Sequence, residues 1–205
     1  MAHSLYRPLF GLGIAVCVIF VAAAGDPPRV GATRPTYSKE GLLEVPKGFR
    51  SWVLAGADLS IRYKSDEPEK APEEQKDADT KSPDAFHAVY INPESYDAFR
   101  TTGRFPDPTI LVMEVFRAEE KDNGGILAGG KFEGKRIELA AAVKDSQRPG
   151  GGVPWAYYSF ELDAQAKPFK PAKAFPETMC YDCHLKHASN DNVWVQFYPA
   201  LRDPE

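Results

Sequence analysis

Cysteine, histidine and methionine are scarce in this 205-residue chain, which contains three cysteines, four histidines and three methionines. Cys17 lies in an apolar run near the N-terminus, so only Cys180 and Cys183 remain in the rest of the chain. A disulfide between them would close too small a loop to constrain the unfolded chain much. A structural zinc site needs four ligands, and no second cysteine pair exists to complete one. These two cysteines therefore require a different explanation.

Clustered positive charge and further long apolar runs are also missing. Lysine and arginine together number 25 against 29 aspartates and glutamates, which gives a formal net charge of −4. A nucleic-acid-binding surface needs clustered Lys and Arg, so we expect no nucleic-acid partner. Beyond residue 24, no stretch approaches the roughly 20 apolar residues that a membrane-spanning helix requires.

The N-terminus has the composition of a secretory signal. Arg7 precedes an uncharged apolar run, Leu9–Ala24, which ends in three alanines. A basic start, a short apolar stretch and a small-residue end are typical of a signal peptide. We therefore predict a signal peptide over residues 1–24, a periplasmic location and no membrane contact after cleavage. The alternative is that the run is kept as an uncleaved anchor.

Composition also divides the remainder of the chain. Residues 25–36 are rich in Pro, Gly and Arg and are predicted to form a mobile leader, and a single domain is predicted over residues 37–205. Within that domain, residues 65–83 contain no large apolar side chain. Such a segment buries too little surface to offset its ordering entropy. We predict that it is a disordered acidic insertion and not a boundary between two domains.

Short apolar and aromatic runs separated by Gly and Pro predict an antiparallel sheet. The predicted strands are Phe86–Ile91, Thr109–Arg117, Arg136–Lys144 and Trp155–Leu162. Helices are predicted around Ser38–Leu43 and over Glu94–Thr101, and Pro176 suits the first turn of another. We expect a mainly β (α+β) fold, an antiparallel sheet with short helices, the last of them near the C-terminus.

The most informative motif is Cys180–His184, which reads CYDCH. C-x-x-C-H is the attachment pattern of haem c, whereas a thiol redox motif would accompany a βαβ pattern, which is absent. The spacing has a physical basis, because two thiols must reach two vinyl groups on one porphyrin edge. His184 follows Cys180 by four residues and so shares its helical face. We predict one covalent haem c on Cys180 and Cys183, with His184 as an iron ligand.

The other side of the iron has few candidate ligands. No methionine follows His184, and His187 is too close to His184 to cross the haem. The upstream candidates are His87, Met113 and, more distantly, Lys64. We interpret Met113 as a core residue and His87 as non-ligating, so an open sixth position is favoured. The alternative is a six-coordinate cytochrome that only transfers electrons.

Several blocks of the sequence resemble the cytochrome P-460 family, which includes the beta-type cytochromes c-prime. These blocks are Phe49–Trp52, Phe86–Asn92, Gly103–Asp107, Val143–Ser146, Trp155–Phe160 and, most specifically, Cys180–Arg202. The resemblance implies an antiparallel β domain, usually a homodimer, with a five-coordinate haem. It also implies that the haem binds or transforms a small nitrogen oxide, such as nitric oxide or hydroxylamine, and exchanges electrons with a redox partner protein.

The chain departs from the hydroxylamine-oxidising members of that family. Those members carry a haem-linked lysine just after the V-Y-x-N block, where this sequence has Glu94, and a distal carboxylate near the W-x-Y block, where it has Tyr158. Asp107–Pro108 replaces the usual Asp-Gly turn. The resemblance therefore favours the gas-binding branch, whose distal pocket is lined by phenylalanine, and leaves enzymatic activity open. The candidate liners are Phe49, Phe86 and Phe105.

Deletion of Asp66–Lys81 should leave folding and haem content nearly intact, because the deleted segment buries little apolar surface. The melting temperature and the ratio of haem to protein measure the outcome. A large fall in the melting temperature would show that the segment packs on the domain.

Overall fold

Five antiparallel strands form the body of the fold in the computed structural model. They are β1 (Val53–Leu59), β2 (Ala85–Ile91), β3 (Thr109–Glu119), β4 (Phe132–Lys144) and β5 (Trp155–Ser159). Each strand pairs with the next one along the chain, so the order in the sheet is the order in the sequence. The prediction of a mainly β fold built on an antiparallel sheet is confirmed.

The structure describes residues 33–61, 84–120, 129–161 and 169–203, which fall within one compact unit, Ala32–Glu205. The predicted signal peptide, most of the predicted leader, the predicted insertion at 65–83 and Lys64 lie outside the described residues.

The helices are short, as predicted. They are α1 (Pro93–Thr102), α2 (Tyr181–His187) and α3 (Pro199–Arg202), and single 3-10 turns occur at Phe49–Ser51 and Val195–Phe197. Helix α2 carries the predicted attachment motif. Within the described ranges, no helix is long and apolar enough to cross a membrane.

Strand β3 lies at the centre of the sheet and is buried on both faces, which explains its nearly continuous apolar sequence. Ile110 and Val112 point into one core, and Leu111 points into the other. Successive side chains of a strand point to opposite faces, so the sheet separates two cores. We call the face of Val89, Leu111 and Tyr157 the motif face, because it packs against helix α2, and the face of Ile110, Val112 and Tyr158 the opposite face.

The predicted helix at Ser38–Leu43 is wrong, because local hydrogen bonds and pairing with distant residues favour a turn. The side chain of Ser38 accepts hydrogen bonds from the backbone of Glu40 and Leu42, as serine often does outside helices. Gly41 has a φ of 77°, in the left-handed region that glycine adopts without steric cost. Leu43 then pairs with both Tyr37 and Ala172 in isolated β-bridges.

Strand ends also differ from the prediction. Strand β4 begins four residues earlier than predicted, at Phe132, and β3 extends two residues further, to Glu119. Strand β5 ends at Ser159, whereas the prediction continued to Leu162. A register shift near Val115 lets the extended ends of β3 and β4 stay paired, which period-2 alternation alone cannot reveal.

The opposite face contains one buried carboxylate. Glu114 is 1% exposed and accepts hydrogen bonds from Nε and Nη2 of Arg50, at 2.9 and 2.7 Å, and from Nη1 of Arg136, at 2.6 Å. Burial alone would raise the pKa of Glu114, but the two guanidinium groups outweigh it and hold the pKa below its ordinary value. The stability that this gives is therefore complete above the unfolded pKa of about 4.3. It is lost as the pH falls through the lower folded pKa.

Replacing both arginines with alanine (Arg50→Ala, Arg136→Ala) should lower the free energy of unfolding by about 3–5 kcal/mol, because a buried carboxylate is left without a cationic partner. Urea unfolding of the haem-loaded protein at neutral pH measures the change. Adding Glu114→Leu should recover most of the loss, since no buried charge then remains. Failure to recover would mean that the arginines act through packing, such as that of Arg136 over the Phe169 ring at 4.6 Å.

Candidate haem site

Helix α2 places the motif residues within one helical turn. Cys180 is the N-cap of the helix, and the backbone N–H of His184 donates to the carbonyl of Cys180 at 3.0 Å. The helix therefore begins after Cys180, and the expectation that Pro176 lies in its first turn is wrong. Pro176 instead starts a separate turn, closed by the N–H of Met179 at 3.0 Å, because Cys180 has non-helical backbone angles that interrupt the helix.

The two thiols of the motif are free and differ in exposure. Cys180 is half-buried, and Cys183 is exposed. Burial raises the pKa of the Cys180 thiol, and the neighbouring Cys183 and Glu138 raise it further. Cys180 also packs against the core of the motif face. The motif therefore has one thiol anchored against the sheet and one directed to the surface.

The imidazole of His184 has a partner on each nitrogen. Its Nδ1 lies 2.8 Å from the backbone carbonyl oxygen of Asn192, and its Nε2 lies 3.1 Å from the indole Nε1 of Trp194. The ring of Tyr157 packs on the imidazole with a centroid distance of 4.4 Å. Contacts with Asn192, Trp194 and Tyr157 therefore fix the position of the His184 ring.

These two contacts fix the tautomer of His184. A carbonyl oxygen can only accept, so Nδ1 carries the proton, and an indole N–H can only donate, so Nε2 carries a lone pair. Burial lowers the pKa of His184, which favours this neutral form. A backbone carbonyl that accepts from Nδ1–H is a common way to orient a histidine that binds metal through Nε2.

The direction of the Asn192 carbonyl depends on an unusual backbone conformation. Asp191 and Asn192 both have positive φ values, 43° and 62°, a conformation that Asn and Asp adopt more readily than most residues. The carboxylate of Asp191 accepts from Nζ of Lys144 at 2.8 Å and from Nε1 of Trp155 at 3.1 Å. The hydroxyl of Tyr157 donates to the same Asn192 carbonyl at 3.2 Å. One backbone oxygen therefore joins helix α2 to strand β5.

The surroundings of helix α2 would fit a large apolar group. The helix buries none of its own residues, although so short a helix is marginal in water by itself. Met179, Leu185 and Phe197 are exposed at 61%, 59% and 61%. A porphyrin held by both thiols would cover such apolar surface and fix the helix in place. The residues present therefore fit a covalent haem.

The motif face carries both upstream candidates for a sixth ligand. Met113 is half-buried and packs against the same core as Cys180. His87 lies on this face too, because it is two residues from Val89 in strand β2. Met113 therefore packs as a core residue, as the sequence predicted.

The other predicted pocket residues divide between the two faces. Tyr158 and Phe49 belong to the core of the opposite face, and Phe86 shares that face because it alternates with the Val89 side. Phe105 alone of the three candidate phenylalanines lies on the motif side, where it is stacked on Phe99 at 4.2 Å. Tyr158 therefore lies on the other side of the sheet from the Tyr157 ring that contacts His184.

Glu94 lies in the first turn of helix α1. Its carboxylate accepts hydrogen bonds from the backbone N–H of Thr33 and from Nδ2 of Asn92, each at 3.2 Å. Within the described ranges, its hydrogen bonds join it to these two residues and not to the motif.

The Asp107–Pro108 peptide bond, in the loop that follows helix α1, is cis. The carboxylate of Asp107 accepts a hydrogen bond from the backbone N–H of Ser146 at 3.0 Å.

A cleft of about 690 Å³ lies beside the motif helix. Its walls include Trp155, Tyr157, Phe175 and Tyr181. The three motif residues, Cys180, Cys183 and His184, lie outside the lining of this cleft.

Three residues of the site escaped the sequence analysis: Tyr157, Asn192 and Trp194. Asn192 acts through its backbone carbonyl, which has no sequence pattern of its own. The run Asn190-Asp191-Asn192 was an available signal, since consecutive Asn and Asp residues favour left-handed backbone. Tyr157 is distinguished from Tyr158 only by the face to which it points.

Comparison with protein-family models gives a match over most of the chain. A family model described as Cytochrome P460 matches residues 46–195, which is 150 of the 205 residues. The matched range contains all five strands and the motif helix. No curated protein matches the chain.

Replacing both cysteines (Cys180→Ser, Cys183→Ser) should give protein without covalent haem after expression with haem c maturation. Mass spectrometry of the denatured protein measures this directly, because only a thioether-linked haem stays with the chain. Met179→Leu is a matched control, since it changes an exposed apolar neighbour and leaves both thiols in place. A wild-type mass without one haem would contradict covalent attachment.

Proposed function

Because the chain belongs to the cytochrome P460 family, we propose that it is an exported mono-haem c-type cytochrome whose iron has an open position for a small nitrogen oxide. Family membership makes the chain a cytochrome with a haem cofactor. The proposal adds covalent attachment through Cys180 and Cys183, ligation by His184, and nitric oxide as the favoured ligand. Periplasmic export, a homodimer and a redox partner protein belong to the same proposal.

The orientation of His184 carries this proposal. Donation from Nδ1–H to the Asn192 carbonyl leaves the lone pair of Nε2 directed away from the backbone, as an iron ligand requires. The haem would supply a redox-active iron that binds small molecules. Tyr157 holds the plane of the imidazole, so the ligand nitrogen is oriented by the fold before iron is bound.

Trp194 must change its partner when His184 binds iron. Its indole N–H donates to the Nε2 lone pair, and one lone pair cannot serve both an N–H and a metal. This hydrogen bond favours the neutral form of His184, and a haem iron bound at Nε2 would take its place. The ring of Phe197 is stacked on the indole of Trp194 with a centroid distance of 5.9 Å. This packing would hold the indole in place without that hydrogen bond.

The motif face would present an apolar surface to a haem held by the motif. Val89 and Leu111 are buried there, and Met113 and Ala142 pack against them. An apolar surface of this kind favours small uncharged ligands, because it offers little to replace the hydration of a charged one. Nitric oxide fits these conditions. Glu94, where hydroxylamine-oxidising relatives are expected to have a linked lysine, weighs against hydroxylamine as the main substrate.

A six-coordinate electron-transfer cytochrome is the second candidate. The observation that favours it is the position of Met113 and His87 on the motif face, because either side chain could supply a sixth ligand. An iron with two protein ligands would pass electrons without binding nitric oxide readily. The two candidates therefore differ in the coordination of the iron.

We expect the ferrous protein to show a five-coordinate high-spin absorption spectrum that changes at once when nitric oxide is added. An open iron position accounts for both results. The test is to record absorption spectra of both oxidation states, with and without nitric oxide. The red-shifted band of a lysine-linked haem should be absent.

A low-spin spectrum in both oxidation states would contradict the open position and favour electron transfer. In that case Met113→Leu and His87→Ala, compared in parallel, identify the sixth ligand as the side chain whose loss gives a high-spin spectrum. Phe116→Leu, on the other face of β3, is the matched control and should leave the spectrum unchanged.

A further inference from the structure

Two hydrogen-bond donors share the backbone carbonyl oxygen of Asn192. The Nδ1–H of His184 donates to it at 2.8 Å, and the hydroxyl of Tyr157 donates to it at 3.2 Å. A carbonyl oxygen has two lone pairs, so these two donors fill its ordinary capacity as an acceptor. Asn192 is 7% exposed, which leaves little room for water to replace either donor.

The position of this carbonyl is fixed independently of the two donors. The side-chain Nδ2 of Asn192 donates to the carbonyl of Tyr181, the first residue of helix α2, at 3.3 Å. The carboxylate of the preceding residue, Asp191, accepts from Lys144 and Trp155. Removal of one donor should therefore leave the oxygen where it is and change only how strongly it accepts from the other donor.

The two donors compete for the electron density of one oxygen. Each N–H or O–H group that donates to a carbonyl draws electron density from it, so the oxygen accepts less strongly from a second donor. The Tyr157 hydroxyl thus weakens the hydrogen bond from Nδ1–H of His184. Because an acceptor at one ring nitrogen raises the basicity of the ligand nitrogen, a weaker hydrogen bond at Nδ1 leaves Nε2 less basic.

We propose that the Tyr157 hydroxyl sets the strength of His184 as an iron ligand, and with it the reduction potential of the haem. Tyr157 is a positioning residue, since it acts only through His184. The inference rests on the proposed function, because it requires that His184 binds iron through Nε2. A strongly donating ligand favours ferric iron, which carries the greater positive charge, so a weaker His184 ligand favours the ferrous state. Hydrogen bonding next to an axial ligand is one of the means by which a protein tunes haem.

The substitution Tyr157→Phe separates this role from packing. The ring of Tyr157 contacts the imidazole of His184 at a centroid distance of 4.4 Å, and phenylalanine keeps that ring while it lacks the hydroxyl. The variant should fold, because the Asn192 carbonyl still accepts from His184 and no buried polar group loses its last partner.

Resonance Raman spectroscopy and redox titration of the haem-loaded, full-length protein test the proposal. In Tyr157→Phe, the iron–histidine stretching band of the ferrous protein should move to higher frequency, because His184 donates more strongly to iron. The equilibrium between the two oxidation states should shift about threefold toward the ferric state, a fraction of the strength of one hydrogen bond. At about 59 mV for each tenfold change in a one-electron equilibrium, this shift lowers the reduction potential by about 30 mV.

Tyr158→Phe is the matched control, because it makes the same change at the adjacent residue, whose side chain lies in the core of the opposite face. It should leave both the band and the potential unchanged. A band in Tyr157→Phe that stays in place or moves to lower frequency would overturn the proposal and leave the proposed function standing.

A wild-type ferrous protein without an iron–histidine band would contradict the open five-coordinate haem of the proposed function. The reduction potentials then decide the role of Tyr157, because their measurement needs no open position. A lower potential in Tyr157→Phe than in Tyr158→Phe supports the role of the hydroxyl, and equal potentials in the two variants overturn it.

Discussion

The backbone carbonyl of Asn192 joins the motif helix to the sheet. It accepts hydrogen bonds from Nδ1 of His184 and from the hydroxyl of Tyr157, so one oxygen sets both the tautomer and the orientation of the candidate iron ligand. Helix α2 buries none of its residues fully, so its position depends on these hydrogen bonds together with the packing of Cys180 and Tyr181 against the core of the motif face. The two left-handed residues, Asp191 and Asn192, keep the carbonyl in place, since Lys144 and Trp155 hold the carboxylate of Asp191. Strain of this kind persists only where the surroundings enforce it.

The two faces of the sheet differ in how completely their side chains are buried and paired. The opposite face is closed by large apolar side chains and by Glu114, whose buried charge is balanced by two arginines. The motif face is less complete: apolar side chains near the helix are exposed, and the buried Oδ1 atom of Asp58 and Nδ1 atom of His87 lack partners among the described residues. A fold that needed only stability would have covered these apolar side chains and paired these polar atoms. This less complete face is the one that the proposed function assigns to the haem.

Much of the fold could be predicted from the sequence, because strand formation depends on patterns of neighbouring residues. The four predicted strands and the helix at Pro93–Thr102 occur where apolar runs and helical spacing indicate them. Segment ends were less accurate, since the bulge near Val115 depends on how β3 and β4 pair. The wrong helix at Ser38–Leu43 has the same origin, because Leu43 pairs with Ala172, 129 residues further along the chain. Contacts over such distances leave no local pattern.

The C-x-x-C-H motif could be recognised from the sequence, because the spacing of Cys180, Cys183 and His184 places them on one helical turn. Tertiary structure alone decided which side chains share a space with that motif. Tyr157 and Tyr158 are adjacent in sequence, yet the first contacts His184 and the second lies in the other core. Period-2 alternation predicts that neighbours point to opposite faces but not which face the helix covers. The covered face is chosen by the hydrogen bonds of the Asn192 backbone, and a backbone carbonyl is the same group in every residue.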